Sequence, residues 1–270
     1  MITGLTLFGG FALLLLIGVP IAVALGVATM LSMLTLNIPV AVVAQRIFTG
    51  LDSTAIMAIP FFVLAGNLMS SGGISRRLVA FVNSIVGKAQ GGMAFAMVAG
   101  CAFFAALSGS APATVVAIGS MLYPEIVRLG YPKARSAGLL AVSGGLGPII
   151  PPSIIMVVYG TITNSSISDM FTAGLVAGLL IVLVLLALVW RLARTENWPK
   201  ESGSLDLGQF LRSSFHALPA VFLPVLILGG IYSGIQTPTE SAASAVVYAF
   251  FVGVFLYKEI AWRDLWAIVR

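Results

Sequence analysis

Apolar runs dominate the chain, and they are interrupted by glycine, serine and proline more often than by charge. Residues 1–45 hold no charged side chain. Residues 5–36 could form one helix about 48 Å long at ~1.5 Å per residue. That exceeds the ~30 Å hydrocarbon core of a bilayer, so the pattern predicts strong tilt or a break at Gly18-Val19-Pro20. Residues 39–51 form a candidate interfacial helix, with Gln45 and Arg46 on one side and Val43, Ile47 and Phe48 on the other. Residues 54–69 are the next span. Residues 74–86 are amphipathic: Ile74, Leu78, Val82, Ile85 and Val86 face one way, Arg76, Arg77, Asn83 and Ser84 the other, which predicts an in-plane helix.

The stretch 92–123 is uncharged but split at Ser108-Gly109-Ser110-Ala111-Pro112. Its arms, 92–107 and 111–123, would be about 24 Å and 20 Å long. Two full spans need about 40 residues, so a re-entrant hairpin is expected. Residues 133–159 form a span broken within Gly144-Gly145-Leu146-Gly147-Pro148-Ile149-Ile150-Pro151-Pro152-Ser153. Residues 170–190 span without interruption. Residues 205–215 read as interfacial, 217–235 and 241–257 as the last two spans, and 260–269, with Trp262, Leu265 and Trp266, as an in-plane segment.

Composition turns this pattern into a class. The chain is 59% hydrophobic and 9% charged, which excludes a soluble domain and defines an all-α polytopic membrane protein. A net charge of +5 does not signal a nucleic-acid partner, because the basic residues sit in short loops where they set topology in the lipid bilayer. With 92–123 as a hairpin, Lys and Arg divide 13 to 1 between the two sides, Arg46 alone lying opposite; a full crossing would divide them 11 to 3. The hairpin is therefore expected to enter from the positive, cytoplasmic side. A single cysteine, Cys101, excludes an internal disulfide and a cysteine metal site, and reads as a packing residue. The N-terminus lacks a basic n-region, and its apolar run is too long for a cleaved signal peptide.

The breaks carry the chemistry. In lipid, an interrupted helix leaves backbone groups unpaired at a cost of several kcal/mol each, so such breaks persist where protein, water, an ion or a substrate satisfies them. Ser108 lies about 24 Å along a helix axis from Gly92, and Gly147 about 21 Å from Lys133, so the two breaks can meet near mid-membrane. Free carbonyls at the helix C-termini, with the hydroxyls of Ser108 and Ser110, suit a hard cation such as sodium. The helix N-termini at residues 111 and 153 suit an anionic substrate, which singles out Ser110, Ala111, Pro152 and Ser153. Gly109 and Gly147 permit close backbone approach. The bland alternative is that these small residues only let helices pack tightly.

Other polar residues read more plainly. Thr237-Pro238-Thr239-Glu240 is a capping box. Asp169 is expected to cap the 170–190 helix. Asn67 is interhelical glue or lines a transport path. An intramembrane serine hydrolase would need Ser110 and the lone His216 in contact, yet the map separates them in depth. A passive channel would need a continuous polar pore, which the uncharged spans argue against.

Five segments together resemble the large membrane subunit of tripartite ATP-independent periplasmic (TRAP) transporters: Ile17-Gly18-Val19-Pro20-Ile21-Ala22, Ala58-Ile59-Pro60-Phe61-Phe62-Val63-Leu64-Ala65-Gly66, Ser108-Gly109-Ser110-Ala111, Gly147-Pro148-Ile149-Ile150-Pro151-Pro152-Ser153, and Thr237-Pro238-Thr239-Glu240. The resemblance implies a sodium-coupled importer of organic acids, such as C4-dicarboxylates or sialic acid, in a bacterial inner membrane. It implies two partners: a small membrane subunit, and a periplasmic substrate-binding protein that captures the carboxylate. It implies no enzyme activity, and no cofactor beyond Na+ as coupling ion. It implies an elevator-type secondary transporter with re-entrant hairpin, broken transmembrane helix and in-plane scaffold helices. By that resemblance Ser108, Gly109, Ser110, Gly147 and Pro148 map onto one sodium site. The expected division is 1–91 as scaffold helices and in-plane arm, 92–168 as the transport-domain hairpin and broken helix, and 169–270 as further spans and the start of a second repeat. That repeat is faint: Pro20 and Pro238 each open an apolar helix followed by an in-plane segment, carrying Arg46 and Arg263. On this reading the second hairpin would lie beyond Arg270, and the chain alone is expected to be inactive in uptake.

Overall fold

The computed structural model describes residues 2–86, 89–200 and 207–269. Lys88 and Arg270, both placed on the positive side above, lie outside the described residues, as do residues 205 and 206 of the expected interfacial segment. The described chain is helical, with one isolated bridge pairing Gln90 and Lys200. It divides into two compact units, 1–53 and 54–270.

In the first unit, the apolar run 5–36 is not one tilted helix. It is α1 (Ile2–Leu16) and α2 (Ile21–Thr35), joined at Gly18 with φ +86°. The two pack antiparallel: the hydroxyls of Thr6 and Ser32 lie 3.3 Å apart, and Thr35 donates to Thr3 Oγ1 at 3.4 Å. Proline at position 20 has no N–H to continue the first helix, and its fixed φ starts the second. Each arm is about 22 Å long, short of a ~30 Å core. α3 (Ala41–Leu51) follows, with Val43 buried and Ile47 and Phe48 exposed.

The second unit begins with α4 (Ala58–Ser71) and α5 (Ile74–Val86), bent 65° to one another across Gly72-Gly73. The buried face of α5 is Ile74, Ser75, Leu78, Val79 and Val82, while Ile85 stays half exposed. α6 (Gly92–Ser108) and α7 (Ala111–Arg128) form an antiparallel hairpin; α7 runs five residues beyond the expected end, carrying Pro124 within it. α8 (Lys133–Gly144) and α9 (Ile154–Thr163) flank the second break. α10 (Ile167–Thr195) is capped by Ser166, whose Oγ accepts from the Asp169 N–H at 3.2 Å; Asp169 is thus in the first turn and is not the cap.

The expected interfacial segment and following span are one helix, α11 (Leu207–Tyr232), which passes through Pro219 and Pro224. Tyr248 Oη donates to the Pro219 carbonyl at 2.9 Å. α12 (Pro238–Phe251) continues as a π-helical stretch, Val252–Leu256. Its capping box forms as expected: Glu240 N donates to Thr237 Oγ1 at 3.3 Å and Thr237 N to Glu240 Oε2 at 2.7 Å. Thr239 Oγ1 ties the same turn to the Thr54 carbonyl at 2.8 Å. A 3-10 turn and α13 (Leu265–Val269) close the chain. Among the described residues, Ile167–Thr195, Phe210–Tyr232 and Pro238–Leu256 are long and apolar enough to cross a membrane.

Two hydrophobic cores organise this unit. One gathers α6, α7, α8 and α10 around Met97, Cys101, Ile118, Leu122, Leu146 and Val189. The other gathers α4, α5, α11 and α12 around Phe62, Leu68, Ile74, Leu223, Ala245 and Val252.

Candidate functional site: two helix breaks and a serine-lined cavity

α6 ends because Gly109 turns left-handed at φ +60°, its N–H closing on the Ala105 carbonyl at 2.9 Å. Ser110 is extended, and Pro112 sits in the first turn of α7. In the second break, Ser153 is extended and caps α9, its Oγ accepting from the Met156 N–H at 3.4 Å. Both breaks therefore end in helix N-termini, at residues 111 and 154, with Ser153 the cap of the second.

The structure brings the two breaks into backbone contact. A Cβ on Gly109 would lie 2.6 Å from the Pro152 carbonyl oxygen and 3.2 Å from the Ile154 nitrogen. A Cβ on Gly147 would lie 2.5 Å from the Ser110 carbonyl carbon and 2.6 Å from the Ala111 nitrogen. Of the residues singled out from sequence, Ser108, Gly109, Gly147, Pro152 and Ser153 are buried, whereas Ser110, Ala111 and Pro148 are half-buried.

Oxygen atoms concentrate at the crossing. Ser108 Oγ lies 3.1 Å from Thr114 Oγ1, and Thr114 Oγ1 donates to the Ser110 carbonyl at 2.8 Å. Thr114 is fully buried. Ser143 is also fully buried, and its Oγ has no hydrogen-bond partner among the described residues. Its neighbour Gly144 abuts Val115 in the first turns of α7. Sequence reasoning missed Thr114 and Ser143. The available signal was a hydroxyl within one turn of each break in an otherwise apolar helix. Among the described residues no three His, Cys, Asp or Glu side chains converge, so neutral oxygens are what this crossing offers a cation.

Ser108 and Ser110 open on a cavity of about 490 Å³. Its walls come from α4 (Gly66, Asn67, Ser70), the first turn of α5, the 113–121 face of α7, and Ile154 of α9. It thus lies along the seam between the two cores. Asn67 lines the cavity, and its Nδ2 donates to the Ile268 carbonyl at 3.5 Å. His216 is elsewhere. Its Nδ1 meets the Arg212 carbonyl at 2.8 Å, and its own carbonyl accepts from Tyr257 Oη at 2.6 Å. The Ser110–His216 pairing needed by a hydrolase is not formed.

Apolar helices of membrane-crossing length, and a helical hairpin meeting a broken helix beside a cavity, are the pattern of a membrane permease. Comparison with known proteins makes this specific. Residues 8–270 match the family described as the tripartite ATP-independent periplasmic transporter, DctM component, and the chain belongs to that family. It is 42% identical to the C4-dicarboxylate TRAP transporter large permease protein DctM of Rhodobacter capsulatus, over 97% of this chain and 63% of the relative. It is 45% identical to the isethionate TRAP transporter permease protein DctMQ of Oleidesulfovibrio alaskensis, over 94% of this chain and 40% of the relative. It is 37% identical to the sialic acid TRAP transporter permease protein SiaT of Haemophilus influenzae, over 94% and 41% respectively. The chain therefore spans roughly two-fifths to three-fifths of the length of these relatives. Members of this family are transporter permeases, not enzymes.

Proposed function

We propose that the chain forms the permease core of a sodium-coupled importer of small organic acids in a bacterial inner membrane. The observation that carries the reading is the backbone contact between the two breaks, beside a cavity lined by Ser108 and Ser110. Helix ends and hydroxyls there supply oxygens for sodium: Ser108 and Ser110 from the hairpin tip, backbone carbonyls around Gly109, Gly147 and Pro148, with Thr114 and Ser143 behind them. The N-termini of α7 and α9, with Ser110, Ala111, Pro152 and Ser153, supply donors for an anion.

In this reading, α6–α9 move as a transport body against the helices of residues 1–91, with α6–α7 as a re-entrant hairpin whose flanks are cytoplasmic. Residues 169–270 add further spans and begin a second repeat. The cavity lies where the cluster around Met97 and Ile118 borders the cluster around Phe62 and Leu223. A periplasmic binding protein delivers the acid, and a small membrane subunit completes the assembly. The relatives' names point to the substrate class: C4-dicarboxylate, isethionate and sialic acid are all small organic acids.

The test is uptake in proteoliposomes by the full-length permease with its small subunit and binding protein. An inward sodium gradient should drive accumulation of an organic acid above its outside concentration, and collapse of the gradient should abolish it. Equilibration without accumulation would indicate a channel and overturn the proposal.

A further inference from the structure

We propose that Arg76 is the residue that reads the acid group of the transported anion, an inference that rests on the cavity being the organic-acid site. The first turn of α5 lines the same cavity as Ser108 and Ser110, through Gly73, Ser75 and Arg76. The first N–H groups of a helix have no intrahelical partner and carry positive partial charge. Ser75 is buried, at 4% exposure, and its Oγ has no hydrogen-bond partner among the described residues. Arg76 is the charged side chain among the cavity's lining residues. The hairpin side offers neutral hydroxyls and helix ends; the α5 side offers a full positive charge.

The two neighbouring arginines are held very differently. Arg77 is committed: its Nη1 donates to Glu259 Oε1 at 2.6 Å and to the Gly73 carbonyl at 3.1 Å, and its guanidinium lies 3.7 Å over the Tyr257 ring. Arg76 reaches the same carboxylate only at 3.6 Å, and its side chain is 73% exposed. Glu259 itself packs where a side chain on Gly73 would go. A protein carboxylate therefore already docks against the N-terminus of α5, and it marks the chemistry this end accepts. Arg76 is free to leave Glu259 for a carboxylate or sulfonate in the cavity, while Arg77 keeps Glu259 and the fold in place. A guanidinium binds such a group through paired charge-assisted hydrogen bonds, which an amide or alcohol in the same position cannot match.

The test is direct binding of radiolabelled succinate, isethionate and N-acetylneuraminate to the purified full-length permease, without binding protein, at fixed sodium. Arg76→Gln should weaken binding of the acid that the native protein binds by about 10-fold, the worth of one charge-assisted contact. Arg76→Lys should recover part of that loss. The sodium concentration for half-maximal binding and the thermal melt of Arg76→Gln should stay at native values. Unchanged acid affinity in Arg76→Gln, with native binding and sodium-driven uptake intact, would overturn the assignment and leave the proposed function standing. A parallel shift in sodium dependence or melting would make Arg76 structural and also overturn it. No binding of any of the three acids by the native permease would remove the acid site from this cavity, and the Arg76 assignment with it.

Discussion

A single methyl group added at Gly147 tests the contact on which the site depends. In the structure that methyl would sit 2.5 Å from the Ser110 carbonyl carbon, 2.6 Å from the Ala111 nitrogen and 2.7 Å from the Ser110 oxygen. All three are backbone atoms, so no flexible side chain can swing aside. Ordinary contact would require the hairpin tip to retreat by roughly 1 Å. The tip is packed on both sides. Gly109 is already against the Pro152 carbonyl, and a Cβ on Gly66 of α4 would touch the Ser108 Cα at 3.5 Å. Overpacking of this kind costs about 1–3 kcal/mol. Gly138, in α8 just before the same break, provides the control: nothing lies within 4 Å of its Cβ position. Alanine there should be neutral or gain up to about 1 kcal/mol of helix propensity. Thermal melts of the two full-length variants in one detergent should show Gly147→Ala several degrees below the native protein and Gly138→Ala at or above it. Uptake should fall with Gly147→Ala alone. If Gly147→Ala melts and transports like Gly138→Ala, the breaks do not meet as described.

Three further outcomes are expected. Ser108→Ala and Ser110→Ala should each raise the sodium concentration for half-maximal uptake in the full-length protein without loss of folding; an unchanged sodium curve in both would remove these hydroxyls from the ion site. Thr237→Ala should lower stability by about 1 kcal/mol, because it deletes the cap of α12, with sodium dependence unaltered; a native melt would show the box to be dispensable. Cysteines placed at Ala89 and Arg128, in a Cys101→Ala background, should both resist an impermeant thiol reagent applied from the periplasm, and labelling of one alone would turn the hairpin into a full crossing.

Local chemistry made much of this protein legible from its sequence. The capping box at Thr237 and Glu240, the left-handed stop at Gly109 and the two breaks all depend on groups within about four residues of each other, the reach of helix capping. The long uncharged segments marked the membrane class because only a lipid solvent tolerates them. Where local signals pointed two ways, packing chose. The run 5–36 became an antiparallel pair once the Thr6 and Ser32 hydroxyls could meet. Residues 207–232 became one helix despite two prolines, with a carbonyl of that helix, at Pro219, taken up by Tyr248 from α12. The cavity was beyond sequence altogether. Its walls draw on residues from Val63 to Ile154, and Arg76 joins them from beyond the 65° bend between α4 and α5. Ser143 and Thr114 look like ordinary small helical residues until α8 is laid against α7. Periodicity reports which face of a helix is apolar; it carries no information on which distant face will cover it, and that choice, made by side-chain fit across the two cores, is what assembles the site.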